Sequence, residues 1–314
     1  LILHSEDKVT ARILGMAAVQ LALYTGTFIS QVRKGKTLYS KRYWTYAVRF
    51  NLPLIPHYLS LTVLSSSDRI MISNMVGADK AGIYNLAYSV SMIMTMFNMA
   101  LLQTIEPWIY RKLKDKKTMD LAKVAYPCFF LIAGVNILLI LFAPEIIAVF
   151  APKAYYEAIW VVPSVALSVF FMFLYSFFAT FEFYYEKTTY VAAATVGGAI
   201  LNIILNYIGI HRLGYLAAGY TTLFSYILFA LLHYLFMNKV CDEFIDGIRP
   251  YNGKMILGIA ALSCAIGFGC MALYQHPIIR YSIVVFLGIV ALVCRKKLIS
   301  LIKSLLQLKK QKVE

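Results

Sequence analysis

A polar stripe in an otherwise apolar segment offers the clearest candidates for chemistry in this chain. Arg49, Pro53, His57 and Ser60 are spaced so that they share one helix face. If the segment crosses a membrane, a charge near its centre costs at least about 2.5 kcal/mol and normally faces protein or water. Facing a cavity, the Arg49 guanidinium offers a bidentate fork to phosphate oxygens. The alternatives are snorkelling of Arg49 to the headgroups and a packing role for His57, hydrogen-bonded to a carbonyl.

Carboxylates form the second class of candidates. Glu106 lies at the end of an apolar run, ahead of Arg111 and Lys112. It could carry a coupling proton across the membrane, and a surface salt bridge to the neighbouring cations is the alternative. Glu182 and Glu186, spaced i and i+4, are predicted to share one helix face. Hydrolysis would also need an aligned pocket and an opposing acid-base group, so we predict no catalytic residue.

Two prolines and an acidic-basic pair lie in the same segment as Arg49. Pro53 and Pro56 remove helix hydrogen bonds, so they predict a kinked helix that could act as a gate. Asp68 and Arg69 follow near the other end. We predict that they form a structural ion pair fixing the next turn, or a gate, with substrate contact as the alternative.

The remaining polar residues of the apolar runs favour structural roles. Asn202 and Asn206, one helical turn apart, predict hydrogen bonds between helices. The cysteines lie singly in or beside apolar runs, without a CxxC pair or a histidine at ligand spacing, and the sequence predicts no metal site. They are Cys128, Cys241, Cys264, Cys270 and Cys294.

The elements that must hold these residues are membrane helices. Of the residues, 61% are hydrophobic and 14% charged, and mean hydropathy is +0.70, whereas a soluble domain is about 45–50% apolar and about 25% charged. A bilayer core needs about 20 apolar residues of helix. Nine such runs occur, which predicts an all-α polytopic membrane protein with about nine transmembrane helices. The runs lie near residues 12–32, 43–68, 81–109, 122–143, 157–182, 189–209, 213–237, 255–274 and 277–294.

Charge between the runs predicts orientation. The net charge of +15 comes from short basic clusters in alternate loops, which sets topology and argues against nucleic acid as a partner. Lysine and arginine stay on the cytoplasmic side, so the basic carboxyl end is predicted to be cytoplasmic. Nine spans then put the amino end outside, yet residues 1–9 contain no signal peptide. We therefore expect an amino-terminally truncated chain.

One stretch resembles a known family. Residues 65–94, SSSDRIMISNMVGADKAGIYNLAYSVSMIM, resemble the signature region of bacterial polysaccharide-repeat flippases, the O-antigen and capsule exporters related to multidrug and toxin extrusion transporters. That family folds into two six-helix bundles with two helices appended. The resemblance rests on Asp68-Arg69, Ala81-Gly82-Ile83-Tyr84, Leu52-Pro53-Leu54-Ile55-Pro56-His57 and Glu106-Pro107-Trp108-Ile109-Tyr110.

The resemblance implies a domain plan. The plan comprises the last helix of the first bundle with a cytoplasmic linker, the second six-helix bundle, two appended transmembrane helices and a basic cytoplasmic tail. These parts are assigned to residues 1–42, 43–237, 238–294 and 295–314.

The same resemblance implies a function. It predicts a non-enzymatic, multi-pass flippase that moves undecaprenyl-pyrophosphate-linked oligosaccharide repeat units across the bacterial cytoplasmic membrane, for lipopolysaccharide O-antigen or capsule synthesis. Its partners would be that substrate, membrane lipids and a coupling proton or sodium ion, with no cofactor. Arg49, His57 and Ser60 would face the substrate, and Glu106 would couple the ion. A cation-coupled antiporter of organic cations would favour acidic cavity residues instead, and a polytopic polysaccharide polymerase would need a sizeable extramembrane loop.

Overall fold

The computed structural model is built from α-helices. It describes residues 7–37, 39–293, 295, 296 and 300, and these residues contain eleven α-helices and no strand. The predicted basic tail falls almost wholly outside this range. The helices are α1 (Lys8–Gly35), α2 (Lys41–Asn51), α3 (Leu54–Met75), α4 (Ala78–Lys114), α5 (Leu121–Leu141), α6 (Ala143–Phe150), α7 (Val162–Tyr184), α8 (Thr188–Leu213), α9 (Ala217–Phe244), α10 (Gly253–Met271) and α11 (Pro277–Val293).

The chain divides into two compact units, one ending at Leu52 and the other beginning at Pro53. The first unit contains α1 and α2. The Asp7 carboxylate caps α1 by accepting hydrogen bonds from the backbone N–H groups of Val9 and Thr10, at 3.0 and 3.1 Å. The second unit contains α3 to α11.

The predicted continuous helix over residues 43–68 is wrong. Leu52 and Pro53 keep right-handed helical dihedral angles but form a turn outside both helices, so α2 ends at Asn51 and α3 begins at Leu54. Pro53 has no N–H to continue the hydrogen-bond ladder of α2. Pro56 lies in the first turn of α3, where the N–H groups have no partner within the helix in any case. A break at Pro53 therefore replaces the predicted pair of kinks.

Seven described helices are long and apolar enough to cross a membrane: α1, α4, α5 with its preceding turn, α7, α8, α9 and α10. The polytopic all-α class is therefore confirmed. The other two predicted spans differ: α11 is a shorter apolar helix, and α3 is absent from this set. With 22 residues, α3 could extend about 33 Å. Polar side chains lower its hydropathy, and two of them, His57 and Asp68, are buried.

The second unit packs around α7, the most deeply buried of the long helices. Its neighbours are α4, α5, α8, α9 and α10, and its most extensive contact is with α9. Phenylalanines fill the centre. The Phe129 ring of α5 meets Phe177 of α7 edge-on, with centroids 5.0 Å apart, and Phe173 in the same way at 6.1 Å. The predicted domain boundaries remain predictions, although α10 and α11 both pack against α5.

Candidate functional site

Asp68 is the centre of a buried polar cluster in the second unit. The buried positions of α3 are Leu54, His57, Leu64, Asp68 and Ile72, which follow the helical repeat and so form one face. Because α3 packs against α4, α8 and α9, this face carries the carboxylate into the interior. The Asp68 side chain is only 1% exposed.

Four side chains donate hydrogen bonds to the Asp68 carboxylate. The Tyr84 hydroxyl of α4 and the Thr222 hydroxyl of α9 donate to Oδ2, at 2.6 and 2.9 Å. The Asn206 amide of α8 donates to Oδ1 at 2.7 Å, and the Ser67 hydroxyl donates a longer bond at 3.4 Å. The carboxylate therefore joins four helices, and both of its oxygens have partners.

A second layer extends the cluster along α8 and α9. The Asn202 amide donates to the Thr222 hydroxyl at 3.1 Å, and Asn202 Oδ1 accepts from Asn206 and Ser67, each at 3.1 Å. The Thr221 hydroxyl donates to Asn206 Oδ1. The predicted interhelical role of the two asparagines is thus confirmed. Carboxylate, amide and hydroxyl oxygens together are the donor set that hard cations prefer.

Arg69 does not pair with Asp68. No ion pair among the described residues joins them, because successive residues of a helix point about 100° apart. The guanidinium instead donates to Asn85 Oδ1 at 3.0 Å and to the Ser65 carbonyl, and it lies 4.7 Å from the centre of the Tyr88 ring. The predicted structural ion pair is therefore corrected to two separate sets of contacts. Asp68 accepts hydrogen bonds from side chains of α4, α8 and α9, whereas Arg69 contacts Asn85 and Tyr88 of α4.

The residues of the predicted stripe belong to different units. Arg49 is exposed on α2, in the first unit, while Ser60 is half-buried on α3. His57 is buried, and its Nδ1 lies 2.6 Å from the Thr195 hydroxyl of α8. That hydroxyl donates to the Val191 carbonyl, so it accepts from a protonated His57 Nδ1. His57 therefore packs between helices through a hydroxyl rather than a carbonyl.

The predicted carboxylate candidates also occupy different environments. Glu106 is half-buried on α4 and hydrogen-bonds Tyr110 one turn further along the same helix. The predicted shared face of Glu182 and Glu186 is wrong, because α7 ends at Tyr184 and Glu186 adopts a left-handed backbone with φ of 58°. Glu182 is fully buried, whereas Glu186 is exposed.

Sequence reasoning missed several members of the cluster. Thr221 and Thr222 of α9 were not singled out, and Tyr84 was noted only as part of the family signature. Their signal is weak, since each is a common residue within an apolar run. Among the described residues, no group of three or more His, Cys, Asp or Glu side chains is arranged to hold a metal ion. The Asp68 cluster differs from such a site because its other oxygens come from amides and hydroxyls.

The sequence comparisons agree with the resemblance, and a solved structure aligns over part of the chain. Residues 9–113 match the family described as polysaccharide biosynthesis protein. A protein of the Lsg locus of Haemophilus influenzae is 26% identical over 215 residues, which cover 64% of this chain and 52% of that protein. A solved MOP superfamily transporter from Pyrococcus furiosus aligns with a TM-score of 0.48 and 16% identity, over 72% of this chain and 52% of that one.

The matched region contains the signature at residues 65–94. The predicted resemblance to the polysaccharide flippase family is therefore confirmed. The chain spans about half the length of both relatives.

Proposed function

We propose, from the match of residues 9–113 to the polysaccharide biosynthesis family, that this chain acts in a membrane flippase. The cargo is a lipid-linked oligosaccharide, carried on undecaprenyl pyrophosphate. The flippase moves it across the bacterial cytoplasmic membrane by alternating access, and the carboxyl end of the chain is cytoplasmic. The role is transport of a finished unit rather than catalysis.

Arg49 is the proposed contact for the pyrophosphate. It is exposed on α2, and a guanidinium binds phosphate oxygens through two parallel hydrogen bonds. Ser60, half-buried on α3, is a proposed contact for sugar hydroxyls. His57 is a weaker candidate, because its Nδ1 is engaged with Thr195.

The proposed coupling site is the Asp68 cluster, which takes a sodium ion or a proton. Support comes from the four helices that meet at this carboxylate, since loading or unloading a charge there changes contacts between helices. Glu106, the other candidate, forms its hydrogen bond within its own helix. A change of charge at Glu106 therefore has less effect on the packing between helices.

A flux assay tests the substrate contact. The chain is reconstituted in liposomes with a lipid-pyrophosphate-linked oligosaccharide, and translocation is followed by the access of an external glycosidase. We expect Arg49→Ala to slow translocation about 10- to 100-fold, the equivalent of one charge-assisted contact of about 1.5–3 kcal/mol. Arg49→Lys should retain part of the rate. Arg42→Ala, an exposed cation on the same helix, is the control and should leave the rate unchanged. Wild-type flux in Arg49→Ala would remove Arg49 from the mechanism.

A second flux experiment tests the coupling site. Asp68→Asn keeps the shape of the side chain and removes its charge, so flux should lose its dependence on an imposed sodium or proton gradient. Asp115→Asn, at the exposed end of α4, is the control and should retain that dependence. Gradient dependence that survives in Asp68→Asn assigns coupling to another residue.

A second candidate function is the antiport of organic cations. It is favoured by one observation, namely that Asp68 and Glu182 are both fully buried carboxylates. Efflux of a fluorescent lipophilic cation from the same liposomes tests this function. Efflux that an added lipid-linked oligosaccharide does not slow would favour it over the flippase.

A further inference from the structure

A second buried ionisable cluster joins α7 to α9. Glu182 of α7 and His233 of α9 each have no exposed side-chain surface, and Glu182 Oε1 lies 2.8 Å from His233 Nδ1. These two helices make the most extensive contact in the fold. The proposed flippase mechanism above does not use this pair.

The surroundings of the pair are aromatic. The Tyr175 ring stacks on the His233 imidazole with centroids 5.2 Å apart, and the Phe229 ring meets it edge-on at 4.5 Å. Among the described residues, Glu182 Oε2 and His233 Nε2 have no hydrogen-bond partner. Each side chain therefore uses one polar atom to bind the other side chain, and its second polar atom is buried among apolar groups.

Charge balance limits how many protons such a pair can hold. With one proton shared between Oε1 and Nδ1 and a second proton on Nε2, the pair is neutral overall, whether it is drawn as acid and imidazole or as carboxylate and imidazolium. Adding or removing a proton leaves a net charge in the apolar interior, which is strongly unfavourable. The pair therefore retains the shared proton while α7 and α9 stay packed together.

Few other ionisable groups face the pair. His57 of α3 is near enough for its charge to interact with that of His233, and Tyr175 of α7 is the stacked ring. At the ends of the adjoining helices, charged groups bind one another: Lys187 pairs with Glu243, and Lys112 pairs with Asp120. No described residue makes an ion pair with Glu182 other than His233.

We propose that Glu182 and His233 form a proton-binding site whose shared proton is released when α7 and α9 separate during transport. On release, the proton between Oε1 and Nδ1 passes to water and Nε2 keeps its own, which leaves a carboxylate and a neutral imidazole, and no electrons are transferred. Uptake is the reverse. This inference rests on the proposed transport function and adds a second coupling residue pair to it.

A buried ionisable pair contributes little to stability compared with apolar residues of similar volume. A purely structural contact between α7 and α9 needs no ionisable group, and the other buried residues of these two helices include no carboxylate and no imidazole. The cost of burying the pair is understandable if the proton itself is used.

Nitrogen NMR tests whether the proton is held. The full chain is labelled at its five histidines and placed in nanodiscs, and His233 is assigned by loss of its signals in His233→Gln. Over about pH 5 to 8 the NMR signals of the His233 ring nitrogens should not shift. Glu182→Gln should shift the His233 signals, and Glu243→Gln, an exposed carboxylate of α9, should not. Ring nitrogen signals of His233 that shift over this pH range would overturn the proposal.

Proton movement tests whether the held proton is transferable. Liposomes containing a pH-sensitive dye are supplied with lipid-linked oligosaccharide, and substrate-driven proton flux is recorded. Glu182→Gln and His233→Gln should abolish it, Glu182→Asp should retain part, and Glu243→Gln should be unchanged. If the single variants misfold, Glu182→Gln combined with His233→Gln keeps a hydrogen bond without a titrating group. Unchanged proton flux in that double variant refutes the proposal.

The two arms separate the inference from the proposed function. If the wild-type chain moves no lipid-linked oligosaccharide, the flippase proposal is refuted. The NMR experiment by itself then tests whether the pair holds a proton. A chain that moves substrate normally in Glu182→Gln with unchanged proton flux retains its function and loses this site.

Discussion

Removing the hydroxyl of Tyr84 should destabilise the protein, while the same change at Tyr251 should not. Both rings are almost fully buried. The Tyr84 hydroxyl donates to Asp68 Oδ2 at 2.6 Å, whereas the Tyr251 hydroxyl has no hydrogen-bond partner among the described residues. Phenylalanine fills the same volume in each case, so neither variant opens a cavity and the hydrogen bond is the main difference.

The expected loss of stability depends on the charge of the hydrogen-bond acceptor, Asp68, and on whether the helices lie in water or in a membrane. A hydrogen bond to a charged group is worth about 1.5–3 kcal/mol in soluble proteins. Hydrogen bonds between membrane helices average about 0.6 kcal/mol and reach about 1.7. Among the described residues, Tyr84→Phe leaves Oδ2 with Thr222 as its only hydrogen-bond donor, so we expect a loss near the upper value for membrane helices, about 1.5 kcal/mol. Tyr251→Phe should be neutral or stabilising by up to about 1 kcal/mol, since it removes a buried polar group without a partner.

Equilibrium unfolding in mixed detergent micelles measures both variants. A difference of about 1.5 kcal/mol is roughly a tenfold change in the unfolding constant. The pair Tyr84→Phe and Asp68→Asn, measured singly and together, isolates the interaction between these two residues. Equal stability of Tyr84→Phe and Tyr251→Phe would refute the reasoning, as would additive effects of Tyr84→Phe and Asp68→Asn.

Two further predictions concern packing and pH. Gly219→Ala should destabilise the protein by about 1–3 kcal/mol in the same unfolding assay, because an added Cβ would collide with Ser164 Oγ at the α7–α9 contact. Gly258→Ala is the control and should be neutral or stabilising, because a Cβ added there has no neighbouring atom within 4 Å. Lys80 hydrogen-bonds Glu157 at 2.7 Å and lowers the pKa of that carboxyl. The ion pair therefore stabilises the fold slightly at neutral pH, and this stabilisation is lost as pH falls through the pKa of Glu157 in the folded protein. Glu157→Gln should make the free energy of unfolding depend less on pH in the acid range, and an unchanged dependence would show that the ion pair contributes nothing.

The membrane class of this chain follows from its sequence alone. Long uncharged runs cannot form a soluble surface, and their length matches a bilayer, so seven of the nine predicted runs correspond to helices long and apolar enough to cross it. The signature at residues 65–94 likewise indicated the resemblance by residue type and spacing, and it lies within the stretch that matches the polysaccharide biosynthesis family. Both signals are local in the chain, and hydropathy and motif reading detect local signals.

Helix ends were less predictable than helix existence. The run over 43–68 was expected to bend at Pro53, and instead α2 stops before it. The spacing of Glu182 and Glu186 implied a shared face, but that inference holds only inside a helix, and α7 ends between them. Both errors have the same cause, because the spacing of apolar and polar residues does not indicate where a helix ends.

The partners of the polar residues were decided by tertiary structure. Asp68 could be recognised as unusual from sequence, but its neighbour Arg69 suggested an ion pair, while its actual donors come from residues up to 154 positions away. His233 gave no signal until α9 was packed against α7, 51 positions from Glu182. A lone polar residue in an apolar run reports that a partner must exist, because an unpaired polar group in a membrane is costly. Only the packing of α3, α4, α7, α8 and α9 determines which residue that partner is.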